Sequence, residues 1–347
     1  MAIVGAGPIG IEMGVALKRA GVSYLQFDAR QVGYTVSWFA PGTRFFSSSE
    51  RIAIAGVPLQ TSDQGKATRE EYLAYLRSVV MQFGLEIHTY EAVVGIEKVG
   101  ASGAGGMQEA RGGGFVLTTK SNWGEAKYEV EKVVLATGGT ARPRMLGVPG
   151  ENLPHVSHYF FDPHVYFGKK LLIVGAKNSA VEAALRCHNA GAKVTLVHRG
   201  EKLPEKSVKY WLLPEITGLC EAGKIEGCFS TVVKEITPSE VVLSEAGGDR
   251  RIEADFVLLL VGYEADMSLC AMAGVELVGQ EQRPVFDEGT METNAAGVYV
   301  AGTAVAGTQA GFKVFIENSH VHVERILAAI LGERREVKAV VYERPES

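Results

Sequence analysis

The sequence predicts an α/β protein of two doubly wound nucleotide-binding halves, the second inserted in the first. Three observations predict it. A short apolar run, a small-residue loop and a helical pattern occur twice, as AIVGAGPIGIEMGVAL (2–17) and LLIVGAKNSAVEAAL (171–185). A second strand pattern follows each, SYLQFDAR (23–30) and KVTLVHRG (193–200). Each half then returns through an uninterrupted apolar strand, KVVLATGG (132–139) and FVLLLVGY (256–263). Continuous apolar runs between helices suit parallel strands buried on both faces.

The remaining elements follow in order. TREEYLAYLRSVV (68–80) places Thr68 and Glu71 in capping-box spacing ahead of a helical apolar stripe. EAVVGIEKV, GFVLTTK and KYEVE alternate as an antiparallel attachment to the first half, and STVVKEI, EVVLSE and DRRIEA do the same for the second. Residues 100–114, GASGAGGMQEARGGG, lack a strand–helix context and read as a flexible hairpin loop rather than a phosphate site. From Arg283 onward the chain supplies another strand, a glycine-rich turn and a long helix that have no counterpart in the second half. The economical arrangement is a split first domain, 1–143 and 264–347, around an inserted domain, 144–263. Both are Rossmann-like dinucleotide-binding domains with a small antiparallel β attachment.

Composition narrows the function classes. Over 347 residues, 46% are hydrophobic and 22% charged, enough to bury two cores. A net charge of −5 argues against nucleic acid as a partner, and no apolar run is long enough for a bilayer. AIVGAG begins with no basic leader, so no secretory signal is expected and the reading is cytoplasmic. The first strand starts so near residue 1 that native residues are expected to be missing ahead of it. Cys187, Cys220, Cys228 and Cys270 form neither C-x-x-C nor a zinc spacing, so no metal is expected. Cys220 and Cys228, eight apart, are kept as a minor redox-pair alternative to four buried reduced thiols.

The two loops differ in charge. Gly5, Gly7 and Gly10 satisfy G-x-G-x-x-G after a strand and before a helix, and Asp28 lies 23 residues past Gly5. Gly5 permits the tight turn, Gly7 the approach of a pyrophosphate, Gly10 close helix–strand packing, and Asp28 can accept from ribose hydroxyls. The second loop keeps Gly175 and Ala180 but has Lys177 in the middle, and 23 residues past Gly175 stands His198, followed by Arg199, Lys202 and Lys206. A free 2′-hydroxyl suits a carboxylate and a 2′-phosphate suits a guanidinium. The first loop is therefore expected to take FAD and the second NADPH. ATGG (136–139) and AGT (301–303) end further strands, whose backbone N–H groups can reach a flavin.

These segments resemble the thioredoxin-reductase-like NADPH flavoproteins, and more closely their bacillithiol-disulfide reductase branch. The likeness rests on IVGAGPIG, FFSSSERIAIAGVP (45–58), ATGGTARPRMLGVPGE (136–151), HVSHYFFDPHVYFGKKLLIVGAKNSAVEAAL (155–185), VHRG, SVKYWLLPEI (207–216) and FIENSH (315–320). It implies FAD contacts at Gly5, Gly7, Pro8, Ile9, Gly10, Asp28, Ala29, Arg30, Trp38, Val93, Ala136, Thr137, Gly138, Gly302 and Thr303. It implies NADPH contacts at Gly175, Ala176, Lys177, Asn178, Ser179, Ala180, His198, Arg199, Lys202 and Gly262. A homo-oligomer passing electrons to a small-molecule disulfide or a redox protein is the implied activity. Three positions depart from the family pattern: Ile9 replaces a loop cysteine, the C-x-x-C of thioredoxin reductases is absent, and Thr303 stands where many relatives carry Asp.

Hydride transfer between cofactors needs stacking rather than a side-chain acid or base. His320 and Trp38 are the candidates for a direct catalytic part, Trp38 as a wall of the flavin. The final helix, expected soon after AGTAVAGTQAG, would aim its positive end at the flavin. Competing readings are a ferredoxin or flavodoxin reductase, which needs no active thiol, a flavin monooxygenase, whose F-x-G-x-x-x-H is missing, and a non-enzymatic sensor of the NADPH/NADP ratio.

Overall fold

The computed structural model describes residues 1–99, 113–309, 311 and 313–333. The hairpin loop expected at 100–114 therefore falls, from 100 to 112, outside the described residues, as does the C-terminal tail beyond Glu333. The chain forms two compact units. The first comprises Met1–Ser37, Ser47–Arg142 and the segment from Glu264 onward, and the second comprises Trp38–Phe46 and Pro143–Tyr263. The stretch Trp38–Phe46 departs from the sequence expectation, which leaves it in the first domain. Its side chains pack within the second unit for reasons given below.

The first unit is built on a five-stranded sheet in the order Val298–Val300, Val133–Leu135, Ala2–Val4, Leu25–Asp28, His88–Thr89. All four pairings are parallel, with Val4 opposite both Phe27 and Leu135. The strand from beyond residue 264 sits at the edge, so the chain does return to complete the first sheet. Ile3, Met13, Leu17, Phe27, Val134 and Ile326 share one core. The helix Arg69–Phe83 starts at the predicted capping box, where Thr68 accepts from the Glu71 N–H, and ends at Gly84 in the left-handed conformation.

The second unit repeats the plan. Its five strands run Glu226–Cys228, Lys193–Val197, Lys170–Val174, Phe256–Leu259, Val156–Ser157, all parallel. Each unit also carries a three-stranded antiparallel sheet, Glu91–Lys98/Phe115–Ser121/Gly124–Val130 and Val232–Ile236/Glu240–Glu245/Gly248–Glu253. The repeat extends to a local irregularity. The pairing register shifts between Val93 and Gly95 in one sheet and between Val233 and Glu235 in the other. Such bulges add twist and cluster near functional sites.

One expectation fails. Gly302–Ala306 is a short 3-10 turn, and the last helix begins only at His320. The last helix thus does not follow directly on the strand Val298–Val300, and among the described residues no α-helix dipole is aimed from directly behind AGT. No helix among the described residues is long and apolar enough to cross a membrane.

Candidate functional site

In the first unit the candidate residues lie at the C-terminal ends of parallel strands, where open α/β sheets bind ligands. Gly5 has φ +118°, and a Cβ there would stand 2.3 Å from the Ala136 carbonyl oxygen. Gly10 is as tightly placed, since its Cβ would meet the Gly5 oxygen at 2.2 Å. Gly7 differs in kind. A Cβ on it would meet nothing within 4 Å, so its freedom from a side chain serves something other than protein packing. It caps the helix Pro8–Arg19, whose N-terminus has neither a side-chain cap nor an acid in its first turn. Unsatisfied N–H groups facing open space are the cradle a pyrophosphate needs. The residues present therefore fit a dinucleotide.

Asp28 holds this loop. Its two oxygens accept from the Ala6 and Arg30 N–H groups at 2.7 and 2.8 Å. Burial raises its pKa, opposed by those two bonds, and each oxygen keeps a lone pair for a ribose hydroxyl. Ala29 lies between these anchors, and the Arg30 guanidinium rests over the Tyr34 ring. Two supports were not legible beforehand. Gln26, fully buried in its strand, donates to the Gly5 carbonyl at 3.0 Å. Glu12 accepts from the Ala55 N–H at 3.0 Å. A polar residue inside SYLQFDAR was the one available signal for Gln26.

Further loops converge on the same place. Ile9 packs against Gly302, whose Cβ would lie 3.4 Å from that of Ile9. Gly138, with φ +81°, and Gly139 face Thr303, which brings Ala136–Gly139 beside Gly302–Thr303. The Gly302 N–H, however, donates to His322 Nδ1 at 3.1 Å. It is therefore taken, and Thr303 is left as the backbone donor of that turn. Burial, then Arg325 and His320, lower the His322 pKa to about 4, so a neutral ring accepts this bond. Val93 lies at the bulge, buried in the core that holds Phe27.

His320 is not poised for catalysis. Its Nδ1 meets Glu12 Oε2 at 2.7 Å and its Nε2 meets the Arg51 carbonyl at 3.0 Å. Both ring nitrogens face acceptors, which requires two N–H donors. Burial opposes the charge, but the Glu12 carboxylate raises the pKa on balance. His320, at the start of the last helix, is a structural clamp onto the helices Pro8–Arg19 and Ser49–Ile52, with no nitrogen left for substrate.

Trp38 packs in the second unit. Its ring contacts Tyr159 at 5.4 Å and Tyr263 at 5.9 Å within the second unit. The rest of its segment is bound there too. Arg186 donates to the Pro41 carbonyl at 2.6 Å, Lys209 to the Arg44 carbonyl at 3.0 Å, and Phe46 stacks on Trp211. Buried Lys209 is neutralised by Glu182 at 2.9 Å. These anchors explain why Trp38–Phe46 leaves the first unit.

In the second unit Gly175, with φ +132°, leaves 2.4 Å between its notional Cβ and the Leu260 oxygen, and Ala180 is fully buried beneath it. Lys177 caps the helix Asn178–Asn189 at φ −88°, ψ −177°, close to the −73°, −179° of Gly7. That conformation suits any L residue, so the protein itself tolerates the lysine. This helix too lacks a side-chain cap and a first-turn acid, leaving Ala176, Ser179 and their neighbours around an anion cradle. Asn178 is partly committed, because its Oδ1 accepts from the Lys209 N–H at 2.6 Å. His198 sits against Gly200, and burial followed by Arg199 lowers its pKa, so it offers a neutral ring. Arg199 is exposed. Lys202 is paired with Glu205 at 3.5 Å. Gly262, φ +106°, ends the strand Phe256–Leu259 in open space.

All four cysteines are free. Burial raises every one of them, Cys187 and Cys270 to about 12. None is a ready thiolate. No group of three or more metal-ligating side chains occurs among the described residues.

Comparison with known proteins agrees with this geometry. Residues 2–302 match the family model of the pyridine nucleotide-disulphide oxidoreductases. The bacilliredoxin reductase Bdr of Bacillus subtilis (strain 168) is 35% identical over 331 residues, covering 94% of this chain and 96% of that protein. A structure of the bacillithiol disulfide reductase Bdr from Bacillus cereus superposes with a TM-score of 0.88 at 33% identity, over 95% of this chain and 98% of that one. A ferredoxin–NADP reductase of Ignicoccus hospitalis is 28% identical over 340 residues, 90% of this chain and 96% of that protein.

Proposed function

The chain belongs to the pyridine nucleotide-disulphide oxidoreductase family and is a flavoprotein oxidoreductase, and on that premise we propose that it uses FAD and NADPH to reduce a small disulfide of the bacillithiol type. The observation that carries this reading is the pair of uncapped helix N-termini of opposite local charge. One is closed by the Asp28 carboxylate, the other is flanked by Arg199. The balanced reaction is NADPH + H⁺ + RSSR → NADP⁺ + 2 RSH.

A bound flavin would supply the acceptor for the hydride and the two-electron donor for the disulfide. Gly5, Gly7 and Gly10 would admit its pyrophosphate, Asp28 its ribose, and the turns at Ala136–Gly138 and Thr303 its ring system. Gly175 to Ala180 would hold the NADPH pyrophosphate and Arg199 the 2′-phosphate. Burial disfavours the thiolate form of all four cysteines, which supports a route from flavin to disulfide without a protein thiol as relay.

The test is flavin absorbance under strict anaerobiosis. NADPH added stoichiometrically should bleach the yellow band, and bacillithiol disulfide should restore it. Bleaching without recovery would favour the second reading, a ferredoxin or flavodoxin reductase, for which Ile9 in place of a thiol and the likeness to ferredoxin–NADP reductases speak. No bleaching would refute NADPH as donor.

A further inference from the structure

Close to Asp28, one aromatic residue is held in a backbone conformation that its side chain disfavours. Tyr90 has φ +58°, in the left-handed region, and among the described residues no other aromatic residue has a positive φ. A bulky residue there is an outlier that persists only where its surroundings impose it. Here they do. His88 Nδ1 meets Glu91 Oε2 at 3.1 Å, closing the turn on which Tyr90 lies. Glu91 Oε1 accepts in addition from Thr119 at 2.6 Å and from Tyr128 at 3.0 Å. The His88 and Tyr128 rings pack on Phe27, with centroids 4.9 and 5.0 Å away. The residues on either side of Tyr90 are thus fixed, yet Tyr90 itself is 47% exposed.

Its place in the sheet is as specific. The strand His88–Thr89 ends with Thr89 opposite Asp28, and the next residue, Tyr90, donates its N–H to the Arg30 carbonyl at 3.1 Å. The Arg30 N–H is in turn bound to Asp28. Tyr90 therefore lies one strand across from Asp28 and just beyond it, at the C-terminal edge of the sheet. The second unit repeats the device. Ser230 has φ +51°, and its N–H donates to the Gly200 carbonyl at 2.8 Å. Gly200 stands two residues past His198 as Arg30 stands two past Asp28, and the register shift begins three residues after Tyr90 and after Ser230 alike. A left-handed residue kept at one place in both halves belongs to what they share, the corner of a dinucleotide site. The side chain at that place is what differs, a phenol in the first half and a hydroxymethyl group in the second.

Resting on the assignment of FAD to the first unit, we propose that the Tyr90 ring is the platform on which the adenine of that cofactor stacks. The base is joined directly to the ribose assigned to Asp28, so it comes to rest among residues one or two positions beyond that carboxylate. An exposed aromatic face is what a base takes up there. Because the turn is braced in advance, little freedom is lost on binding. Ser230 offers no ring at the matching place, so the second site holds its nucleotide without such a platform.

The experiment titrates FAD and, separately, FMN into the flavin-free full chain, followed by flavin fluorescence, beside the variants Tyr90→Asn and Tyr90→Phe. Asn adopts the left-handed conformation readily, and thermal melts report that each variant is folded. FMN lacks the adenosine half and is the internal reference. Tyr90→Asn should raise the Kd for FAD roughly ten- to a hundredfold while changing that for FMN less than about twofold, and Tyr90→Phe should keep the affinity of the unaltered chain. Unchanged FAD affinity in Tyr90→Asn, or equal weakening of FAD and FMN, overturns the adenine platform and leaves the flavoprotein reading standing. Absence of FAD binding to the unaltered chain refutes the assignment of FAD itself, and the platform with it.

Discussion

Replacing Arg199 by Ala should convert the second nucleotide site from NADPH-selective to indifferent. Arg199 is exposed, two residues beyond the strand Lys193–Val197. Burial lowers the His198 pKa, which makes it the weaker cation at neutral pH, and Lys202 shares its charge with Glu205 at 3.5 Å. A charge-assisted hydrogen bond contributes about 1.5–3 kcal/mol, and solvent exposure puts this one in the lower part of that range. A loss of about 1.5–2 kcal/mol corresponds to a rise of roughly ten- to thirtyfold in Kd for NADPH. NADH lacks the 2′-phosphate, so its affinity should change less than about twofold. The assay is anaerobic flavin reduction at increasing concentrations of each nucleotide, at low and high salt. The advantage of the unaltered chain for NADPH should shrink as salt screens the pair. Equal weakening of both nucleotides, or no change for NADPH, would refute the assignment of the 2′-phosphate to Arg199.

Gly5→Ala places a Cβ 2.3 Å from the Ala136 oxygen at φ +118°, and should cost about 3 kcal/mol or more together with most of the bound flavin, read as flavin content and Tm. His322 is neutral in the fold with a pKa near 4, against about 6.5 unfolded, so stability should fall as pH drops below 6.5, by about 3 kcal/mol at pH 4. His322→Gln, which keeps an acceptor for Gly302, should remove that part of the slope in urea titrations at several pH values. Glu12→Gln removes the partner that raises His320. A raised histidine stabilises fully below its unfolded pKa and loses the effect as pH rises through its folded one. The variant should therefore be less stable by about 2 kcal/mol at pH 6, with the gap closing at pH 9, read by thermal melts.

Much of this molecule is local in origin. The capping box at Thr68, the two glycine loops and the alternating strands at 91–98 and 232–236 all depend on residues a few positions apart, which is why their pattern is readable along the chain. Within the site, Gly5, Gly10 and Asp28 were legible for the same reason. Gln26, Glu12 and His322 were not, because each acts on a backbone group 20 or more residues away. The role expected of His320 failed on the same ground, because a histidine carries no local mark of the carboxylate and carbonyl that occupy its two ring nitrogens.

Sequence alone determined the duplication, the strand-loop-helix character of each repeat, and the opposite charges beside the two loops. These follow from hydrophobic period, glycine geometry and residue charge, which need no knowledge of the distant chain. Only the tertiary structure decided which unit keeps Trp38–Phe46, which backbone N–H groups stay available, and whether each histidine is charged. Those outcomes depend on desolvation and on hydrogen-bond partners brought together across up to 308 positions of chain, as between Glu12 and His320. Burial alone would neutralise both histidines of the last helix, and one carboxylate from the opposite end of the sequence makes them differ.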